Sequence, residues 1–228
     1  MQQHLRVVTK FWPRLHGVYR LARKLSWPLL LLLGWSTLAS ATSGLNMLHH
    51  FFQDTHTITA QFSQEVANHN GQIVKRANGT LWISRPGKFR WDYSGVNGQT
   101  IVSNGNKVWL YEPALQQVTV QPLGKALGST PAALIAGNDN LNARFKITDE
   151  GEKGGLHWLL LDPKSGQDQG FTALRLGFDS QGALREMRME DAFQQETVLH
   201  FTHIEVNHAI PGREFQFTPP VGVDVLSQ

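Results

Sequence analysis

Residues 79–93, Gly-Thr-Leu-Trp-Ile-Ser-Arg-Pro-Gly-Lys-Phe-Arg-Trp-Asp-Tyr, constrain the fold of this chain more than any other stretch. They form two arms of alternating residues with a Pro-Gly pair between them, which has the chemistry of a type II turn. Because strand side chains alternate between two faces, one face collects the apolar residues Leu81, Ile83, Phe89, Trp91 and Tyr93. Arg85 shares that face next to the turn. The block therefore predicts a β-hairpin with an apolar wall and one arginine at its rim.

The first 41 residues differ in composition from the rest of the chain. They hold six Lys and Arg residues, no acidic residue and an apolar run over residues 27–38, followed by Ala39-Ser40-Ala41. The apolar run is shorter than the ~20 residues of a membrane span, and the three small residues are typical of a signal-peptide cleavage site. We therefore expect residues 1–41 to be a signal peptide cleaved after Ala41, and residues 42–228 to be one exported domain. A retained membrane anchor is the alternative.

Removal of this segment reverses the charge of the protein. The whole chain has a formal net charge of +3, but without residues 1–41 it keeps 15 Lys and Arg against 18 Asp and Glu, a net charge of −3. The nucleic-acid interpretation therefore loses its main electrostatic support, and no block of Lys or Arg residues remains in the mature chain. It also contains no cysteine, which excludes thiol catalysis, cysteine metal sites and the lipidated cysteine of a lipoprotein. We expect a protein that is soluble in its compartment.

Helical and strand patterns follow one another along the mature chain. Apolar residues at helical spacing predict a short amphipathic helix at its start: Leu45, Met47, Leu48, Phe51 and Phe52. A second short helix is predicted over residues 130–137, with Ser129 or Thr130 as N-cap and Pro131 at its first position. Strands are predicted at residues 60–66, 73–83, 101–102, 108–111, 118–120, 145–148, 157–161, 171–178, 184–190, 197–206 and 215–218. Together they predict a mainly β fold, a large antiparallel sheet that curls, without a parallel crossover.

The motifs of common enzymes are missing from the sequence. It has no G-x-S-x-G, H-E-x-x-H, P-loop or Rossmann glycine pattern. On a strand, His200 and His203 would point to opposite faces and could not share a metal ion. Glu190 and Asp191 are neighbours on a strand, so they do not form an acid–base pair either. We predict no catalytic residue, no cofactor and no metal site.

The aromatic strand faces leave two interpretations open. The rings either bury one another in an ordinary core, or they line a ligand cavity that two short helices are too small to fill. Arg85 also has two interpretations. Its side chain either extends along the apolar wall to reach water, or its guanidinium donates to carbonyls at the end of a covering helix and holds that lid in place.

Several motifs in combination resemble the LolA family, the outer-membrane lipoprotein carrier proteins. They are Phe62-Ser63-Gln64, Gly79-Thr80-Leu81-Trp82, Arg85-Pro86-Gly87-Lys88-Phe89-Arg90-Trp91, Ser103-Asn104-Gly105, Val108-Trp109-Leu110-Tyr111, Thr130-Pro131 and Phe215-Gln216-Phe217-Thr218-Pro219-Pro220. The resemblance spans nearly all of the mature chain. It implies an unclosed (half) antiparallel β-barrel of about 11 strands, with a lid of short α-helices over an apolar cavity.

The resemblance also implies a function and partners. It implies a periplasmic chaperone that takes triacylated lipoproteins from an inner-membrane ABC transporter complex of the LolCDE type and delivers them to an outer-membrane receptor of the LolB type. We expect a monomer with no nucleic-acid partner. The alternatives are a carrier of another acylated lipid or glycolipid on the same fold, and a secreted lipid hydrolase.

The resemblance assigns roles to individual positions. Arg85 matches the arginine that holds the lid and is needed for release, and Phe89 matches an aromatic residue needed to receive cargo. The residues expected to line the acyl-chain cavity or to contact incoming cargo are Phe52, Phe62, Leu81, Ile83, Phe89, Trp91, Leu134 and Ile135. The chain ends soon after residues 223–225, which leaves little room for the C-terminal extension that some members use to avoid rebinding the inner membrane.

Overall fold

The computed structural model describes residues 43–126, 131–137, 141–164 and 170–227. The predicted signal peptide with its cleavage site, and the predicted N-caps Ser129 and Thr130, lie outside these residues. Within the described ranges, twelve strands form one sheet. They are β1 (Thr57–Ala67), β2 (Ile73–Ser84), β3 (Lys88–Tyr93), β4 (Thr100–Asn104), β5 (Lys107–Glu112), β6 (Gln117–Pro122), β7 (Phe145–Lys153), β8 (Leu156–Pro163), β9 (Ala173–Phe178), β10 (Leu184–Glu190), β11 (Glu196–Val206) and β12 (Asp224–Ser227).

The sheet is open. Its order is β12-β6-β5-β4-β3-β2-β1-β11-β10-β9-β8-β7, so β12 and β7 are the two free edges of the described sheet. The strands from β1 to β6 and from β7 to β11 follow one another as antiparallel hairpins, and the β1–β11 pair joins the two halves. The prediction of a mainly β, unclosed antiparallel barrel is confirmed.

Residues 79–93 form the predicted hairpin. The register pairs Leu81 with Trp91 and Ile83 with Phe89, so the apolar wall lies on one face, as the alternation predicts. Gly87 in the turn has a φ of 76°, a conformation that favours glycine. The peptide bond between Arg85 and Pro86 is cis, which the sequence pattern does not predict.

The described residues also form four α-helices and two 3₁₀ helices. The α-helices are α1 (Gly44–Asp54), α2 (Leu123–Ala126), α3 (Pro131–Ala136) and α4 (Leu141–Arg144), and the 3₁₀ helices are Pro113–Leu115 and Gly212–Phe215. The Ser43 hydroxyl caps α1 by accepting the Asn46 N–H at 3.3 Å, and one face of α1 buries Leu48, Phe51 and Phe52. Within the described ranges, no helix is long and apolar enough to cross a membrane.

A second apolar layer lies on the outer face of the sheet, under the segment that follows β11. Val102 and Val118 are fully buried but lie outside the interior cluster of the concave face, and Phe215 covers this layer from the 3₁₀ helix that contacts β3 and β4. The ring centroids of Tyr111 and Phe217 are 5.8 Å apart. Part of the aromatic content therefore serves the outer face and not a cavity.

The predicted strand over residues 215–218 is wrong. Gly212–Phe215 is a 3₁₀ helix, and residues 216–220 have no regular structure. Pro219 and Pro220 have no backbone N–H to donate to a strand ladder. Burial of the Phe215 ring, which is 4% exposed, fixes this segment on the sheet instead.

The expectation of a purely antiparallel sheet is wrong at one edge. β12 pairs with β6 in parallel, from Asp224 opposite Gln117 to Ser227 opposite Val120. All four residues of β12 are exposed, so no hydrophobic alternation marks the strand in the sequence. The residues after β11 thus have room both to cover the outer face and to extend the sheet.

Candidate functional site

Two helices cover the concave face of the sheet. α1 contacts β7 and β8, and α3 contacts β3; we call α1 and α3 the lid. The buried residues of the lid and of the concave face form one interior cluster, in which the Phe51 ring of α1 lies 5.5 Å from the Phe178 ring of β9. The lid and the sheet therefore share a single apolar core.

The space between lid and sheet is narrow. An apolar crevice of about 20 Å³ lies between α1, α3 and strands β1, β2, β10 and β11, with Phe51 and Ile135 on the lid side and Leu81 and Phe201 on the sheet side. This volume suits about one water molecule, whereas pockets that hold small organic ligands measure roughly 300–1,000 Å³. The lid is therefore packed on the sheet in this structure, and the crevice beneath it has no room for a small organic ligand.

Arg85 connects both lid helices. Its Nε and Nη2 donate to the Ile135 carbonyl at 3.1 and 2.9 Å, at the C-terminal end of α3. Its Nη1 donates to the carbonyls of Phe51, at 2.9 Å, and Thr55, at the C-terminal end of α1. The last carbonyls of a helix have no partner within the helix and carry a partial negative charge, so a guanidinium satisfies both helix ends at once.

The environment of the guanidinium is apolar. Its carbon lies 4.4 Å from the centroid of the Phe51 ring and 4.7 Å from that of Phe52. Burial lowers the pKa of Arg85 to about 10, so the side chain stays charged at neutral pH. Each of its four hydrogen bonds ends on a backbone carbonyl. Arg85 therefore holds the lid through hydrogen bonds to carbonyls and cation–π contacts with two rings. Neither kind of contact is an ion pair, so the lid can separate from Arg85 without leaving a carboxylate unpaired.

The turn that carries Arg85 is itself fixed to its neighbours. The Arg85 N–H donates to the His56 carbonyl and the Gly87 N–H to the Ala136 carbonyl, both at 2.8 Å. The buried Ser103 hydroxyl donates to the Gly87 carbonyl at 2.7 Å. The sheet thus holds the arginine in place from below while α3 docks on the same turn.

Comparison with known proteins identifies this arrangement. A family model described as "Outer membrane lipoprotein carrier protein LolA" matches residues 53–218, which include β1 to β11, the hairpin and the lid helix α3. The chain belongs to the LolA family. The resemblance seen in the sequence motifs is therefore confirmed.

Relatives of this LolA-family chain match it over most of their length. Outer-membrane lipoprotein carrier proteins are 44% identical to it in Dechloromonas aromatica, over 84% of this chain and 91% of the relative, and 44% identical in Nitrosomonas europaea, over 81% and 89%. A crystal structure of an uncharacterized conserved protein from Thermus thermophilus superposes with a TM-score of 0.51 at 12% identity, covering 81% of this chain and 96% of that one. This last likeness concerns the fold alone.

The N-terminal end of the lid in this LolA-family chain is tied to the sheet by one carboxylate. Asp149 on β7 accepts the Gly44 N–H at 2.9 Å, the Gly151 N–H at 2.9 Å and a ring nitrogen of His157 at 2.6 Å. Burial acts to raise the pKa of Asp149, but these hydrogen bonds and the His157 ring outweigh it and hold the pKa below the ordinary value of 3.8. α1 is therefore held at its start by Asp149 and at its end by Arg85.

We predict that Asp149→Asn lowers the free energy of unfolding at neutral pH by about 1 kcal/mol. Because the pKa of Asp149 is lower in the folded state, its contribution is complete above pH 3.8 and is lost as the pH falls through the folded pKa. Denaturant unfolding of the wild type and the variant across this range should show a difference that closes at acidic pH.

Asp179 gives a matched control for this prediction. Its pKa is also lowered, but it lies in the turn between β9 and β10 and caps that turn through the N–H groups of Gln181 and Ala183. Asp179→Asn should also reduce the loss of unfolding free energy as the pH falls, but it should leave the rate of amide hydrogen exchange in α1 unchanged. Asp149→Asn should increase that exchange rate. If the free energy of unfolding of wild type and Asp149→Asn depended on pH in the same way, the role of Asp149 in holding the start of α1 would be contradicted.

The structure brings the predicted site residues together. The eight residues expected to line the cavity are all buried in the interior cluster: Phe52, Phe62, Leu81, Ile83, Phe89, Trp91, Leu134 and Ile135. Phe52 lies beside Leu48 and Leu141 at the α4 side, while its neighbour Phe51 lines the crevice under the lid. The contribution of each residue to cargo binding, and of Arg85 to release, stays a prediction.

Sequence reasoning missed three residues of the lid attachment. Phe51 belongs to the apolar face of α1, but only the fold shows that it faces the crevice and that its carbonyl meets Arg85. Ser103 lies within a quoted motif without a role, and it is one of the buried polar residues of the described chain. Asp149 has no signal in the sequence, because its partner Gly44 is 105 residues away.

Proposed function

We propose that this protein is a periplasmic chaperone that binds the acyl chains of lipoproteins released from the inner membrane and carries them to an outer-membrane receptor. The observation that carries the proposal is an apolar interior under a lid whose two helices are held by one partly buried arginine. Membership of the LolA family supports it. The protein acts as a carrier and performs no catalytic step.

The energetics of acyl chains explain why such a carrier is needed. Burial of hydrocarbon is worth about 0.8 kcal/mol per CH₂, so several acyl chains do not leave a membrane for water at a useful rate. A carrier that gained all of this free energy would not release its cargo. A closed, packed interior lowers the net affinity, because binding must first separate the lid from the sheet.

The direction of transport follows from differences in affinity. We propose that an inner-membrane ABC transporter complex of the LolCDE type supplies triacylated lipoproteins and that a receptor of the LolB type accepts them. The receptor must bind the acyl chains more tightly than this chain does, since neither lid nor interior carries a motif for nucleotide hydrolysis. The closed lid, held through carbonyl contacts, favours release at that step.

The test is isolation of the cargo together with a transfer assay. The chain, expressed with its own N-terminal segment and purified from the periplasm, should co-purify with triacylated lipoprotein identified by mass spectrometry. The loaded protein should then pass this lipoprotein to a purified LolB-type receptor. Recovery of a glycolipid or another acylated lipid instead would favour a different carrier on this fold, and recovery of no acylated molecule would contradict the proposal.

A further inference from the structure

Asn207, directly after β11, contacts the segment that joins α1 to β1. Its side-chain Oδ1 accepts the His56 N–H at 2.7 Å, and its Nδ2 donates to the Asp54 carbonyl at 2.8 Å. Asp54 is the last residue of α1, and β1 begins at Thr57. One amide group from a distant part of the chain therefore satisfies a backbone polar group on either side of Thr55.

The backbone of Asn207 fixes the position of this amide. Its N–H donates to the Thr57 carbonyl at 2.9 Å, which continues the pairing of β11 with β1. Its φ is 60°, in the left-handed region, which asparagine adopts more readily than most residues other than glycine. The Thr57 hydroxyl in turn donates to the His208 carbonyl at 2.6 Å. The sheet therefore presents the Asn207 side chain to the end of α1 from a fixed point.

Thr55 is the residue at which the chain passes from α1 to the sheet. Its backbone is extended, with a φ of −101° and a ψ of 103°. The next residue is already bonded to the sheet, because the His56 carbonyl accepts the Arg85 N–H at 2.8 Å. A rotation about the Thr55 torsions would move the Asp54 carbonyl relative to the His56 N–H. The two side-chain bonds of Asn207 therefore hold the angle between α1 and β1.

This attachment differs from that of Arg85. Arg85 donates to carbonyls at the ends of both lid helices, whereas both side-chain bonds of Asn207 end on the connection between α1 and β1. Asn207 also follows directly on Val206, which lines the crevice under the lid together with Phe51 of α1. The end of β11 therefore forms part of the crevice wall and holds the helix that covers it.

We propose that Asn207 is a positioning residue of the lid, which fixes the angle at which α1 leaves the sheet and so holds Phe51 over the crevice. This inference rests on the proposed function, because it treats movement of α1 as a step of acyl binding. An acyl chain that widens the crevice must displace α1, and the Thr55 torsions must then change against these two bonds. Asn207 therefore lowers the affinity for acyl chains, and it acts on α1 alone.

The experiment compares Asn207→Gly with the wild type by titration with dansyl-labelled undecanoic acid and by amide hydrogen exchange. Glycine accepts the positive φ and removes both side-chain bonds. We expect the variant to bind the probe about threefold to tenfold more tightly, as one or two exposed hydrogen bonds allow. Exchange should be faster in α1 and unchanged in α3. A loss of stability alone would not raise the affinity of the folded protein for the probe.

Two further variants test the assigned contacts. Asn207→Asp keeps an acceptor for the His56 N–H but turns a carboxylate toward the Asp54 carbonyl, at a helix end where negative charge is unfavourable. It should raise the probe affinity at least as much as Asn207→Gly. Gln194→Gly is the matched control, because Gln194 also has a positive φ, of 59°, but precedes β11 at the end opposite Asn207. It should bind the probe as the wild type does.

The outcomes distinguish this inference from the proposed function. Wild-type probe affinity in Asn207→Gly or Asn207→Asp, or unchanged exchange in α1, would overturn the role of Asn207 while acyl binding itself stands. Equally faster exchange in α1 and α3 would also overturn it, because Asn207 would then not act on α1 alone. If the wild type bound no probe, both proposals would fail.

Discussion

Arg85→Leu should keep the capacity to bind an acyl probe, and tighten it, while hand-over to a receptor is lost or slowed. The guanidinium stabilises only the closed form, because its acceptors lie at the C-terminal ends of two different lid helices. Any ligand that needs the lid open must offset that stabilisation. Without it, the open form is more populated, the acyl chains bind more strongly and the receptor competes less well.

The size of this effect follows from the contacts that are lost. Hydrogen bonds to a charged group are worth about 1.5–3 kcal/mol in total for a partly buried side chain, which corresponds to an acyl affinity about 10-fold to 150-fold higher. Titration with a fluorescent acyl probe and a timed transfer assay to a LolB-type receptor measure the two halves of the prediction. We expect the free energy of unfolding to fall, because the helix-end carbonyls lose their donor.

Two variants control for charge and for the loss of any arginine. Arg85→Lys keeps the positive charge but offers one point donor in place of a planar fork, so it should bridge one helix end and give an intermediate result. Arg76→Leu removes an exposed arginine of β2 that pairs with Glu65 of β1, and this variant should behave as the wild type. Normal transfer by Arg85→Leu would remove Arg85 from the release mechanism.

The fold was predictable where the pattern is local. The alternation in residues 79–93 predicts both arms of the hairpin and the burial of Leu81 and Ile83, because a strand face that turns inward must be apolar along its length. The spacing of apolar residues predicts α1 for the same reason. These elements depend on neighbours within a few residues, which a single sequence displays.

The rest depends on contacts between distant segments. β12 is exposed along its length and is placed only by pairing with β6. Phe215 reads as part of an alternating strand, yet it is the anchor of a 3₁₀ helix on the outer face. The carbonyl partners of Arg85 are invisible in the sequence, because every residue has a carbonyl and only the fold decides which ones face the guanidinium.

The attachment of the lid is asymmetric. α1 is held at its start by Asp149 and at its end by Arg85, whereas the contacts of α3 with the turn are at its end, at Ile135 and Ala136. The first residues of α3 lie over a pocket of about 240 Å³ that is lined by residues of β3 to β6. We therefore expect α1 and the C-terminal end of α3 to leave the turn only after the Arg85 contacts break.

Phe89→Glu should abolish acyl binding and leave the sheet intact. Phe89 is fully buried on β3, with Ile83 and Ser103 as its strand neighbours, and α3 packs over the same strand. Phe89 belongs to the apolar interior cluster, so a carboxylate at this position carries a large desolvation cost unless it reaches water. Both edges of β3 are paired, but the lid side can move. The charge should therefore displace α3 and place a carboxylate where an acyl chain would lie, which lowers the affinity for an acyl probe by about 100-fold or more.

Phe89→Leu separates polarity from size, because it keeps an apolar side chain and should weaken acyl binding by less than about tenfold. Circular dichroism of all variants checks that the sheet persists. Arg85→Leu and Phe89→Glu both favour an open lid, yet we expect opposite changes in affinity, since only the second makes the interior polar. If Phe89→Glu bound the probe within a few-fold of wild type, the acyl chains would have to lie elsewhere; if both variants bound weakly, lid closure would be a requirement for binding and not a cost that binding must offset.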